Sequence, residues 1–271
     1  MPKTEQLGTT ISLVMLGLVL SAAVALPARV AEFTVFGSQL AVQLSGLMQI
    51  AVALGALVAA GTDAVIRDHP QIRGRSLAYS ATYWALPSVL VLASLVIVRQ
   101  LPWWGYRLAY ILAAGAVLGL ATVLQYHTID PDDPHAREAH LGLNFLVYAV
   151  ALFVFVYLYG ARLRSVISAT GVMAASGALA LELLRTERED LPRTWLYAAV
   201  TGLLLGELTW VLNSSALDAA VGGGVLLIVF YVLTGLSQQH LWGQLDRRVV
   251  AEYVGLAGVG LLLIVGVFGW S

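Results

Sequence analysis

Nine apolar runs divide this chain, at roughly 10–27, 37–61, 78–98, 104–125, 141–160, 165–184, 194–213, 217–237 and 249–270. Each reaches the about 17–25 residues that a helix needs to cross a hydrocarbon core about 30 Å thick. None shows the about ten-residue alternation of a transmembrane barrel strand. Backbone in lipid must satisfy its own hydrogen bonds, so such runs are read as helices. The expected fold class is an all-α integral membrane protein, a polytopic bundle of about nine transmembrane helices forming one domain over residues 1–271.

Composition excludes much else. Charged residues make up 11% of the chain, hydrophobic ones 59%, and mean hydropathy is +0.82. A soluble domain carries about 25% charged residues. The net charge of -1 gives no surface for nucleic acid and no polybasic lipid anchor. Cysteine is absent, which removes disulfides, thiolate metal sites and a cysteine nucleophile. Lys3 is the sole lysine, so no span holds the amine of a Schiff base. Ala23-Val24-Ala25 resembles a signal-peptidase site after an apolar run. Removing that run leaves eight spans with the topology of the rest unchanged.

The cations orient the chain. Lys3, Arg67, Arg73, Arg75, Arg137, Arg185, Arg188, Arg193, Arg247 and Arg248 fall on the N-terminal side, against Arg29, Arg99, Arg107, Arg162 and Arg164 opposite. Positive-inside bias then puts the N-terminus in the cytoplasm and the C-terminus outside. Loops and aromatic belts agree, and the expected location is a bacterial cytoplasmic (inner) membrane. Small-residue pairs, Gly115 with Gly119 and Gly202 with Gly206, suit the close helix packing that lipid demands. The run Gly222-Gly223-Gly224 suggests a bend or a near approach of another backbone.

Polar residues inside spans mark candidate sites. Glu207 is the strongest. Counted from Thr194 at about 1.5 Å per residue, it lies about 20 Å into the seventh span. Trp210 and Ser214 share its face, and Arg107 is the expected partner. Gln39 and Gln43, with Gly46, would line one face of the second span as interhelical glue or a groove for a headgroup. In the central loop, Asp133-Pro134 should start a helix, and His140, Asn144 and Tyr148 then form one polar stripe at helical spacing. No structural metal site is expected from the histidine spacing. His127, Asp130 and His140 are the weak candidates. Glu182 and Arg185 are read as a helix-surface pair.

No nucleophile elbow, phosphate loop or zinc-protease signature occurs, and no cofactor is expected beyond a bound lipid or other hydrophobic ligand. Three readings follow. The first is a non-catalytic membrane subunit or scaffold, with lipids, other membrane subunits or a second copy as partners. The second is a carrier or channel for a small or amphipathic molecule using Glu207. The third is a membrane enzyme acting at the His/Asp loop 126–140.

Overall fold

The computed structural model describes residues 4–35, 38–130, 132–161, 165–185, 191–215 and 217–268. Among them eight helices are long and apolar enough to cross a membrane, so the chain is a multi-pass membrane protein. The chain forms two compact units, Met1–Ala139 and His140–Ser271.

The first unit holds α1 (Thr4–Ala23), a β-hairpin of β1 (Arg29–Val35) and β2 (Ser38–Leu44), and α2 (Gly46–Arg67). These are followed by the short α3 (Leu77–Ser80), a 3-10 turn (Ala81–Trp84), α4 (Ala85–Gln100) and α5 (Trp104–His127). Val14 and Leu18 of α1, Leu54 and Val58 of α2, Leu95 of α4 and Ile111 of α5 meet in one core. Gly115 and Gly119 bring α5 against Met15 and Ile11 of α1, as their spacing predicts. At the other end of α2, Asp63 accepts from Trp84 Nε1 at 3.2 Å and pairs with Arg67 at 2.7 Å. Arg67 also donates to Ser80 Oγ at 3.0 Å.

The hairpin corrects the start of the expected second span, 37–61: residues 38–44 are strand, and the helix begins at Gly46. β1 and β2 pair antiparallel, with Gln39 opposite Thr34 and Gln43 opposite Val30. Residues four apart share a face in a strand as they do in a helix, so the spacing of Gln39 and Gln43 does not distinguish the two. The alternation Ser38-Gln39-Leu40-Ala41-Val42-Gln43-Leu44 has the strand's period of two. Ser45 ends it: its side chain accepts from the Met48 N–H at 3.2 Å, an N-cap that starts α2 at Gly46.

The second unit holds α6 (Ala136–Gly160) from His140 onward, α7 (Ser165–Leu184), α8 (Leu191–Asn213), α9 (Ala219–Leu241) and α10 (Arg247–Phe268). α7 and α8 are the closest pair. A Cβ on Gly202 would lie 2.7 Å from the Met173 carbonyl oxygen, and one on Gly206 would lie 2.9 Å from Met173 Cβ. The glycine run of α9 does not break the helix. Gly222 receives the Tyr159 ring and Gly223 the backbone of Val156, so the near approach, rather than the bend, is what these glycines provide. Phe155 and Phe230 are fully buried, edge to face at 5.7 Å between centroids.

Buried hydroxyls inside the helices bond back to the preceding turn. Thr122 donates to the Leu118 carbonyl at 2.9 Å, Ser176 to Val172 at 2.6 Å, Thr209 to Leu205 at 2.7 Å and Thr234 to Phe230 at 2.7 Å. Each such group satisfies its donor without a second helix.

Candidate functional site

The second unit contains a polar cavity of about 270 Å³ where α6, α7 and α9 meet at one end. α6 contributes His140, Leu143 and Asn144, α7 contributes Glu182 and Leu183, and α9 contributes Gln238. Arg185 and Trp242, just beyond the ends of α7 and α9, complete the wall.

Glu182 and Arg185 form an ion pair at 2.9 Å, with side chains only 1% and 8% exposed. This corrects the reading of a helix-surface pair. Their spacing of three residues puts both on one face of α7, but only the neighbouring helices decide that this face is inside. A cation just past a helix C-terminus also meets the negative end of its dipole. Gln238 donates to the Leu183 carbonyl at 2.7 Å, satisfying one of the acceptors that the last turn of α7 leaves without an intrahelical partner.

His140, Asn144 and Tyr148 share one face of α6, as their spacing predicts, and that face meets α9 at Gln238 and Thr234. His140 and Asn144 line the cavity. Tyr148, one turn deeper, shares a hydrogen bond with Thr234 at 3.3 Å and lies edge-on to Phe230. Sequence reasoning singled out His140 and Asn144, read Glu182 and Arg185 only as a surface pair, and passed over Gln238 and Trp242 as lining residues. Their signal was the concentration of polar residues at the ends of α7 and α9, including Gln238-Gln239-His240.

Glu207 is exposed on α8, beside Trp210, which is 60% exposed, and it does not line the cavity. Arg107, in the first unit, donates through Nε to the Leu101 carbonyl at 2.8 Å and through Nη1 to Ala22 at 3.5 Å. Its guanidinium also lies 5.3 Å from the Trp104 ring. Gln39 and Gln43 sit on β2 of the hairpin. Arg162, Arg164 and Arg188 lie outside the described residues.

In the loop after α5, Asp130 Oδ1 accepts from the Asp132 N–H at 3.1 Å. Asp133 accepts from the His135 N–H at 2.8 Å and pairs with His127. Those two bonds, that of His127 first, hold its carboxyl down at about 2. Its main-chain oxygen accepts from Ala136, so Asp133 caps the turn that leads into α6, three residues before the helix itself.

A multi-pass helical membrane protein with an ion-paired polar cavity at the ends of three helices is the class these observations define. The chain belongs to the family described as Protein of unknown function (DUF5656), which matches residues 26–267. No curated protein and no solved structure matches the chain.

Proposed function

We propose that this protein is a non-catalytic integral membrane subunit that binds the polar headgroup of a lipid or similar amphiphile in the cavity of α6, α7 and α9. The observation that carries this reading is the buried Glu182–Arg185 pair opening on a cavity of about 270 Å³. A buried pair is weak evidence for stability, because the desolvation of two charges offsets most of their attraction. Beside a cavity it supplies a donor and an acceptor at fixed positions. Asn144 adds an amide, His140 an imidazole and Trp242 a half-exposed indole at the rim. Polar groups that converge on one cavity are what small-molecule sites use to orient a ligand. The site lies at the helix ends, the depth of a headgroup, which favours binding over passage through the bundle.

In this reading the protein resides in a bacterial inner membrane with its N-terminus in the cytoplasm, and lipids, other membrane subunits or a second copy surround it. Native mass spectrometry of protein purified in mild detergent tests the function. The wild type is expected to retain an amphiphile that Asn144→Leu and Trp242→Ala both lose. Retention by both variants, or none in the wild type, overturns the proposal.

A further inference from the structure

The turn between α5 and α6 brings together two imidazoles and a carboxylate from residues 127, 133 and 135, outside the cavity described above. His127 is the last residue of α5, and His135 immediately precedes the first residue of α6. Both rings turn toward the same side chain. His127 Nδ1 lies 2.7 Å from Asp133 Oδ2, and His135 Nδ1 lies 3.5 Å from Asp133 Oδ1. The ring centroids are 5.7 Å apart. One donor atom from each residue can be chosen so that all three lie within 4.8 Å of one another, and no other such group occurs among the described residues.

We propose that His127, Asp133 and His135 bind a divalent first-row transition-metal ion. Two imidazole nitrogens with one carboxylate oxygen suit zinc, cobalt, nickel or copper, whereas calcium and magnesium prefer all-oxygen sets. Three protein ligands leave room for water on the ion. An ion with bonds of about 2.0–2.2 Å takes the place of the proton between His127 Nδ1 and Asp133. That proton moves to Nε2 of the neutral ring or, from a charged ring, to solvent.

A simple loop cap does not account for all three residues. Closing the turn requires only the His127 bond and the His135 backbone N–H, which already occupy both carboxylate oxygens. The His135 imidazole, at 3.5 Å, is too far for an ordinary N–H···O bond. Its side chain is 66% exposed, so it adds little to the fold, yet it faces the carboxylate. Asp130 and His140, the partners of His127 in the sequence reading, are replaced here by Asp133 and His135. The proposal does not rest on the headgroup cavity.

The test uses the full chain in detergent, stripped with EDTA and free of any histidine tag. It is titrated with cobalt(II) by visible absorption and with zinc(II) by calorimetry. One ion per chain is expected, with affinity weakened at least about tenfold in His135→Ala and in Asp133→Asn. The metal-free melting temperature of His135→Ala should match the wild type. His135→Cys supplies a second readout, because its thiol is the only one in the chain. Cobalt should then gain near-ultraviolet thiolate charge-transfer absorption. No binding by the wild type, equal affinity in His135→Ala, or no new band in His135→Cys overturns the proposal. If Asp133→Asn fails to fold, the two His135 variants decide.

Discussion

Glu182 Oε1 and Arg185 Nη1 form an ion pair at 2.9 Å across one turn at the end of α7, with both side chains almost wholly enclosed. Removing one member strands the other charge in a poorly solvated place, at a cost of about 3–5 kcal/mol. Glu182→Gln and Arg185→Gln are therefore each expected to lower the melting temperature in detergent. The double variant should recover part of the loss, since neither charge is then stranded. Additive losses would show that the two side chains act separately.

Arg107 binds backbone rather than a carboxylate among its described contacts. Its fork reaches the Leu101 carbonyl after α4 and the Ala22 carbonyl near the end of α1. Arg99 donates to the neighbouring Ser21 carbonyl at 3.1 Å. Two cations thus stand at the negative end of the α1 dipole. Arg107→Ala should cost about 1–2 kcal/mol in denaturant unfolding, and Arg107→Lys, a point charge without the fork, should restore only part. Full restoration by lysine would mean that charge alone matters.

Glu207 shares an exposed face of α8 with Val200, Leu203, Trp210 and Val211. A carboxylate among apolar residues at membrane depth is costly when charged, and an amide costs less. Glu207→Gln is expected to melt at the same temperature as the wild type or higher. A clear fall would identify a partner that needs the charge.

His69 lies between α2 and α3, buried and edge-on to Tyr126 at 4.9 Å between centroids. Burial lowers its affinity for a proton below the ordinary value of 6.5, opposed by the charges of Asp130 and Asp133. The folded chain then binds this proton less readily than the unfolded chain. The contribution of His69 is full above about 6.5 and declines as pH falls through that value toward the folded pKa. His69→Gln should flatten the loss of melting temperature below about pH 6.5. An unchanged slope would assign the acid sensitivity to other groups.

Topology can be read without background labelling, because the chain has no native cysteine. Arg137→Cys should react only after the membrane is opened, and Ser214→Cys should react in intact cells with an impermeant reagent. The reverse pattern would invert the positive-inside assignment.

The spans were legible in the sequence because lipid acts on each segment by itself. Length and hydropathy decide whether about twenty residues can cross, whatever their neighbours do. The stripe His140, Asn144 and Tyr148 was legible for a similar reason, since helical periodicity alone puts the three on one face. The helix-packing glycines of α5 and α8 followed from small-residue spacing.

Tertiary structure decided the rest. Whether Glu182 and Arg185 are surface or interior depends on α6 and α9 covering α7, which no local pattern encodes. The hairpin at 29–44 competes with a longer helical span over the same apolar residues, and pairing between β1 and β2 selects it. His127, Asp133 and His135 meet because the turn that follows α5 folds back on itself. That fold-back makes neighbours of imidazoles eight residues apart whose spacing alone gave no ligand pattern. Local chemistry determined which segments enter the membrane, and only long-range packing determined which polar groups face one another.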